Sequence, residues 1–423
     1  MTAGARIVLF LFAASLIAGS VSGAELYFRI SYVWGLLLAF SWLWSWHALR
    51  GLEFSRKPRI TRAQVGHILE ERYDVDNSGK LPRFWLAIRD ESPLPGSQGS
   101  RLFPVIEGKR GRTYLARTRL TQRGIYSLGP TTLETGDPFG LFPIRKVYHA
   151  DDSILVYPLM VEISSFPSPA GILPGGEALR RRTAQVTPNA AGIREYEPGD
   201  SLNRIHWVST ARRSRLMSKE FELDPQAEVW IFLDADRTGQ ASITYESRSD
   251  SRGDLWKSRY EYTLPPSTEE YAVSIAATLA RYFLRNGRSV GFASAGQALT
   301  VIPPDRGGRQ LGKILESLAL LRAQGDLPLR GLVELQAQHI PRGSTVVLVT
   351  HSVEEEIPLT ADYLRRRGLR PVVVLIDAGS FNGPAGTDRV ASMLTFLHIP
   401  YRVVRRSEPL DLALSTSYSR QKL

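Results

Sequence analysis

The chain contains no cysteine. That excludes a disulfide scaffold, a thiolate metal site and a cysteine nucleophile. Histidine is scarce too: seven residues in 423, with no H-E-x-x-H arrangement and no i,i+4 pair, so a histidine-ligated metal has no basis. No G-x-S-x-G elbow and no G-x-x-x-x-G-K-[ST] loop occurs; Gly307-Gly308 ahead of Leu311-Gly312 lacks the Lys-Ser/Thr ending. Acid is in deficit, with 42 Asp and Glu against 53 Lys and Arg, a net charge of +11. Such a chain favours an anionic neighbour, either nucleic acid or inner-leaflet lipid. Zinc-finger spacings, RNP-like aromatic motifs and glycine-rich RNA clamps are missing, which argues against nucleic acid. What is present is length and apolar content: 423 residues, 43% of them hydrophobic, suffice for two or three domains with full cores.

The N-terminus selects lipid. Ile7 to Val21 is a nearly unbroken apolar run, and Ile30 to Trp46 is a second, edged by Tyr27, Phe28, Trp42, Trp44 and Trp46 as an interfacial belt would be. With its flanks each reaches about 18–20 residues, roughly enough to cross a bilayer core. The link Ser22-Gly-Ala-Glu25 allows only a tight hairpin. Arg50, Arg56, Lys57, Arg59 and Arg62 follow, and by the positive-inside rule their side is cytoplasmic. The expectation is a membrane protein with two spans and its bulk in the cytoplasm. Arg6, an apolar core and Ser22-Gly-Ala24 also have the three parts of a signal peptide; the second run would remain after cleavage.

Four sections follow from composition: a transmembrane hairpin over residues 1–50, a β-rich domain over 51–158, a linker over 159–190, and an α/β region over 191–423. In the β-rich domain Phe84–Ile88, Leu102–Ile106, Tyr114–Leu120 and Ile154–Tyr157 read as strands. Tyr114, Ala116, Thr118 and Leu120 alternate with Leu115, Arg117 and Arg119, as a one-sided sheet requires. A small antiparallel sandwich is expected. The linker is rich in Pro, Gly, Ala and Ser and carries Arg180-Arg-Arg182, either a solvated basic run or a contact for lipid phosphates.

After it come strands at Val229–Leu233, Ser289–Ala293, Thr345–Val349, Pro371–Ile376 and Tyr401–Val404, with helices at Ser267–Asn286, Gly312–Leu321 and Leu359–Arg366. Ser267 and Glu270 suggest a capping box, Gly287 a stop, and Val273, Ala276, Ala277, Ala280 and Leu284 a buried stripe. The alternation predicts a doubly wound parallel sheet with helices on both faces. Gln240–Tyr262 reads as a long polar loop over one rim.

Just ahead of this region lies the densest pattern in the chain. It comprises Arg194-Glu-Tyr196, Pro198-Gly-Asp200, Arg204-Ile-His-Trp207, Ala211-Arg212 and Lys219-Glu220. Arg194, Glu195 and Asp200 read as ion-paired groups that fix the segment, Ile205 and Trp207 as core, and Arg204, Arg212, Arg213 and Lys219 as a docking face for an acidic partner. This pattern, with Arg123-Gly-Ile-Tyr126, Leu128-Gly-Pro130 and Asp137-Pro-Phe-Gly-Leu-Phe142 upstream, resembles the bacterial family catalogued as domain of unknown function 58. The resemblance covers most of residues 1–300. It implies a membrane-anchored protein with a C-terminal von Willebrand factor A-like domain. It also implies cooperation with a MoxR-type AAA+ ATPase in assembling or maturing other proteins.

In an open parallel sheet, ligands bind beyond the carboxyl ends of the strands. That selects Asp234, Asp236 and Thr238, then Thr350, His351 and Ser352, and Asp377. Oxygen ligands spaced D-x-D-x-T could hold Mg²⁺ or Ca²⁺. Von Willebrand A-like domains place a metal site here as Asp-x-Ser-x-Ser; this chain departs from it at Asp236 and Thr238, and His351-Ser352 stands where such domains often carry an acid. The same residues resemble the first motif of haloacid-dehalogenase-like phosphatases, with Asp234 as nucleophile and Asp236 as general acid, but the only Lys after Thr350 is Lys422. The expected function is therefore protein interaction without catalysis. A metal-dependent, phosphatase-like hydrolase using Asp234 and Asp236 is the alternative.

Overall fold

The computed structural model describes residues 2–149, 151–167, 181–182, 190–196, 205–223, 228–244, 263–406 and 408–415. They form two compact units, one built mainly from the chain up to Leu159, the other mainly from the chain after it.

The first unit opens with α1 (Ala3–Ser22) and α2 (Glu25–Ala48). Thr2 caps α1 by accepting the Ala5 amide, and Gly23 closes it at φ 69°. The hairpin is inside out relative to a soluble one. Small residues (Ser15, Gly19, Ser31, Ser41, Ser45) face inward, while Phe10, Ile17, Val21, Val33 and Leu36 face outward. Gly19 lies against Phe28 and Gly35 against Phe12, while the Ser15 and Ser31 hydroxyls bond at 2.9 Å. Both helices are long and apolar enough to cross a membrane. Trp42 and Trp46 stack at the surface, but Trp44 leaves the expected belt and packs on Phe84, ring centroids 5.7 Å apart.

Ten strands follow: β1 (Leu52–Pro58), β2 (Arg62–Gln64), β3 (Ile68–Asn77), β4 (Arg83–Asp90), β5 (Arg101–Ile106), β6 (Arg110–Arg119), β7 (Gly124–Ser127), β8 (Thr131–Thr135), β9 (Ile144–Tyr148) and β10 (Ser153–Tyr157). They make three small sheets, β1-β3-β6, β2-β10-β7 and β5-β4-β8-β9, rather than one antiparallel sandwich, and β2 runs parallel to β10. The alternation in β6 holds: Tyr114, Ala116 and Thr118 are buried and Leu115 is exposed. Arg119, on the outward set, is nevertheless buried.

β3 escapes notice in the sequence because its buried face, Leu69, Glu71, Tyr73, Val75 and Asn77, includes an acid. Glu71 is tolerated because Arg56 of β1 donates to it at 2.7 Å; the same guanidinium donates to both oxygens of Asp90 on β4, at 2.8 and 3.1 Å. Burial raises the Glu71 carboxyl despite Arg56, and its Oε2 accepts no hydrogen bond among the described residues. Burial would raise Asp90 as well, but Ser97 and Arg56 outweigh it and hold that carboxyl below its ordinary range.

The second unit contains a small antiparallel sheet and a large mixed one. β11 (Arg181–Arg182) and β12 (Ala190–Glu195) flank β13 (Met217–Leu223), with α3 (Trp207–Arg213) before β13. Then come β14 (Glu228–Leu233), α4 (Thr268–Arg285), β15 (Ser289–Ala295), β16 (Leu299–Asp305), α5 (Gly308–Leu320), α6 (Leu329–Ala337), β17 (Thr345–Thr350), α7 (Glu356–Arg366), β18 (Arg370–Ile376), α8 (Thr387–Phe396), β19 (Tyr401–Val404) and α9 (Leu410–Leu414). The six strands order as β16-β15-β14-β17-β18-β19, parallel except for β16 at one edge.

Trp230, Phe232, Val346, Leu348, Val373 and Leu375 pack on α6, α7 and α8. The alternate residues point the other way, toward α4, which touches β14, β15, β17 and β18. Buried on nearly every side, α4 hides Phe283 where Leu284 was expected. The Ser267 side chain makes no capping bond, so the capping box does not form; Gly287 does end the helix, at φ 73°.

Replacing Arg56 with Ala strands two buried carboxylates. The full chain in detergent is expected to lose roughly 3–5 kcal/mol in urea unfolding. The Asp90 contribution in the wild type should vanish as pH falls through its depressed pKa, because a lowered carboxyl stabilises only while ionised.

Candidate functional site: the crevice between two central strands

β14 is fully buried from Val229 to Leu233, and its neighbour β17 from Thr345 to Thr350. The chain leaves β14 through α4 to β15 on one side, whereas β17 lies on the other. The strand order therefore reverses between β14 and β17, and open α/β sheets bind ligands at such a switch point, beyond the carboxyl ends. Asp234 follows β14 there, its amide donating to the Val349 carbonyl at 2.9 Å. A cleft of about 330 Å³ opens above it, lined among others by Asp234, Asp236, Thr238, Arg330, His351 and Glu354.

Asp234 is 5% exposed, and each of its oxygens accepts a hydrogen bond. Oδ2 accepts the Thr350 hydroxyl at 2.5 Å, and Oδ1 accepts the Asp236 amide at 3.3 Å. Burial pushes its carboxyl up, against the opposing pull of His351 and Thr350. Asp236 turns its own carboxylate back on the Thr238 amide at 2.9 Å, a local Asx bond. His351, 2% exposed, lies 3.0 Å by Nε2 from the Thr238 carbonyl. A carbonyl only accepts, so Nε2 carries the proton. Its Nδ1 faces the Gln240 amide nitrogen at 3.5 Å and Asp234 Oδ2 at 4.0 Å. Gln240 in turn accepts the Thr268 hydroxyl of α4 at 2.7 Å. Gly239, at φ 77°, supplies the left-handed turn that lets this loop pass close to the His351 ring.

The structure thus brings Asp234, Asp236, Thr238, Thr350, His351 and Ser352 together, and leaves Asp377 out. Asp377 accepts the Thr387 hydroxyl at 2.9 Å and faces Arg405 at 3.5 Å. Gln240 was not anticipated; it lies in the stretch read as a polar rim loop, and only its place near the D-x-D-x-T motif could have pointed to it. Among the described residues no three of His, Asp and Glu gather around one point as metal ligands. The donor set fits a divalent ion poorly: one carboxylate is engaged by a hydroxyl and an amide, the next by a backbone amide, and a buried imidazole stands beside the first.

The signature segment is a separate construction. Arg194 and Lys219 pair through their backbones with Ser218 and Ile193, and nothing further is described of their side chains. Asp200, Arg204 and the Pro198-Gly199 turn lie outside the described residues. Glu195 bonds Arg215 at 3.0 Å, a partner absent from the expected set. Tyr196 is half-buried and its amide donates to the Leu216 carbonyl at 2.8 Å. Ile205 is core, but Trp207 is not: it is 66% exposed, because α3 begins there and turns it outward, next to exposed Val208. Arg212 and Arg213 are exposed. His206 has an unforeseen use as the N-cap of α3, its Nδ1 accepting the Ser209 amide at 3.2 Å.

Removing the Thr350 hydroxyl (Thr350→Val) strands Asp234 Oδ2 and is expected to cost about 1–3 kcal/mol. Because the Asp234 pKa is raised in the fold, its favourable contribution is full below about pH 4 and disappears as pH rises through the folded value. Melting curves across pH should therefore show Asp234→Asn gaining on the wild type as pH increases.

Residues 192–378 match the sequence model of the family described as "Protein of unknown function DUF58". The uncharacterized protein YeaD of Bacillus subtilis (strain 168) is 25% identical over 324 residues, 74% of this chain and 73% of its own length. Among solved structures, the CARDB domain of a Pyrococcus furiosus protein in complex with di-metal ions matches with a TM-score of 0.17 and 15% identity, over 25% of this chain and 91% of that one. A GH20 exo-β-N-acetylglucosaminidase from Vibrio harveyi matches with a TM-score of 0.18 and 10% identity, over 82% and 60%. Scores this low carry no argument. The sequence matches do: the end of the signature strand β12, β13 and the crevice residues all lie inside the matched stretch, so residues 192–378 of this chain are a DUF58 region.

Proposed function

We propose that the protein is a membrane-anchored, non-catalytic interaction protein. Its C-terminal unit is a von Willebrand A-like domain that presents the crevice between β14 and β17 to a protein partner. The family points to a MoxR-type AAA+ ATPase as that partner, in the assembly or maturation of other proteins. The state of Asp234 carries this reading. A nucleophile or a metal ligand has to reach its target, and Asp234 is 5% exposed with each oxygen already holding a donor inside the protein. Burial further favours the neutral acid, the weaker nucleophile and the weaker ligand. In this reading the crevice works without a metal. The strand order and the acid at the end of the central strand support the domain assignment. The inside-out hairpin of α1 and α2 supports the anchor, and the basic residues after it support a cytoplasmic location for the bulk of the chain at the inner membrane.

Two measurements test the proposal. Calorimetric titration of Mg²⁺, Mn²⁺ and Ca²⁺ into the full chain in detergent should give no heat that depends on Asp234, and p-nitrophenyl phosphate should not turn over. Heat and turnover that both vanish in Asp234→Ala would replace this reading with the hydrolase. Binding to a purified MoxR-type ATPase, followed by interferometry, should weaken at least about tenfold, or about 1.4 kcal/mol, in Glu354→Lys at the cleft. Phe396→Ser, an exposed position on α8, should leave it unchanged.

A further inference from the structure

We propose that the end of the β-rich unit nearest the helix hairpin is a lipid-binding surface. In it Phe139 enters the interfacial layer of the leaflet while Lys80 and Lys109 meet anionic headgroups. The inference rests on reading α1 and α2 as membrane spans.

The loop Asp137–Phe142 is built to hold one aromatic ring outward. Asp137, fully buried, accepts the Phe139 amide at 3.0 Å and the Phe142 amide at 2.7 Å, and its own carbonyl accepts from Gly140 at 3.1 Å and from the Trp85 indole at 2.7 Å. Gly140 makes the turn at φ 69°. Leu141 is buried and lies near Gly4, whereas Phe139 is 59% exposed. A ring that size held outward by a fully bonded loop is costly in water and favourable at a bilayer interface.

The same loop is bonded to both helices at one end of the hairpin. Ser45 of α2 donates to the Phe142 carbonyl at 2.6 Å; Thr2, the cap of α1, donates to the Leu141 carbonyl through its hydroxyl at 3.0 Å and its amide at 3.3 Å. α1 has 20 residues, about 30 Å of rise, which matches the hydrocarbon thickness. Thr2 then sits at the boundary, and the loop that holds it sits at the same depth. Trp46, with Arg50 3.8 Å over its ring, lies toward the same end of α2, a pairing suited to the interface.

Two turns complete the surface. Ser78 donates to the Gly51 carbonyl just after α2 through its amide at 2.8 Å, Arg83 donates to the Arg50 carbonyl at 2.6 Å, and the Lys109 amide donates to the Gly79 carbonyl at 2.8 Å. These bonds place Lys80, Leu81 and Lys109, all exposed, beside the emerging helix. Arg56, counted among the residues that orient the protein, is committed to Glu71 and Asp90, so the headgroup contacts fall to these lysines.

A chain without cysteine makes the test direct, since Phe139→Cys introduces its only thiol. The full chain, labelled there with an NBD fluorophore, is reconstituted in vesicles of phosphatidylcholine and phosphatidylglycerol. Emission should shift to the blue and be quenched several-fold more by doxyl-labelled lipid than by aqueous iodide. Lys80→Glu combined with Lys109→Glu should halve that lipid quenching or more; an unchanged value overturns the headgroup contact. Trp46→Cys serves as the lipid reference and Leu335→Cys, exposed on α6, as the water reference. A lipid signal at Trp46 with a water signal at Phe139 overturns this proposal alone. A water signal at both overturns the membrane reading and this proposal with it. Shielding of Phe139 from lipid and iodide alike means that protein covers it, which also overturns the proposal.

Discussion

A carboxylate taken out of water has to be answered by donors, and this protein uses that requirement to join its parts. Asp137 gathers the amides of its own loop, and the loop's carbonyls then hold Thr2 and Ser45 at the end of the hairpin. Asp90 and Glu71 share Arg56, which ties β1 to β3 in one sheet and to β4 in another. Asp234 takes the Thr350 hydroxyl and so locks the ends of the two central strands of the α/β sheet. With no sulfur cross-link possible, these buried acids fix relationships that apolar packing alone would leave free to slide.

The requirement also governs the most suggestive acid in the sequence. D-x-D-x-T after an apolar strand is a pattern that metal sites and aspartyl nucleophiles both use, and from the sequence alone the side chains could point anywhere. The fold turns the first acid inward onto a threonine and the second back onto its own turn, and it places His351 beside Asp234, Nδ1 4.0 Å from Oδ2. The Nε2 of that imidazole is held by the Thr238 carbonyl, and its Nδ1 faces the Gln240 amide nitrogen at 3.5 Å. The crevice keeps the shape of a binding site, and both oxygens of its acid hold neighbouring groups in place.

What was legible in the sequence follows the strength of the local signal. The central strands of the large sheet stood out because both faces are covered, so they are continuous apolar runs such as Val229–Leu233 or Thr345–Val349. β16 did not, since Pro303-Pro304 sits within it; proline is tolerated there because the strand is an antiparallel edge. β3 was hidden by Glu71, an acid on a core face whose partner lies 15 residues earlier. Trp207 was misjudged for the opposite reason: a large aromatic suggests core, and only the start of α3, set by the His206 cap, turns it to solvent. For the site, strand ends named Asp234, Asp236, Thr238, Thr350, His351 and Ser352 correctly as neighbours. Their hydrogen bonds, which decide the chemistry, depend on approach distances that no spacing encodes.

The extent of the family match bears on where the shared work is done. Residues 192–378 begin within β12 and run through β18, so they hold most of the signature sheet, α3 with its outward Trp207, and both walls of the crevice. The loop around Phe139 and the helix hairpin lie outside that stretch. The likeness to YeaD, 324 residues long, is too extensive to fit within it and the short tail after it, and so must reach back into the β-rich unit. In the proposed adapter, the crevice offers a partner a fixed shape with Arg330, Glu354 and Glu356 around it. Recognition by shape and surface charge needs that rigidity, because each degree of freedom left in the binding face would have to be frozen again on association.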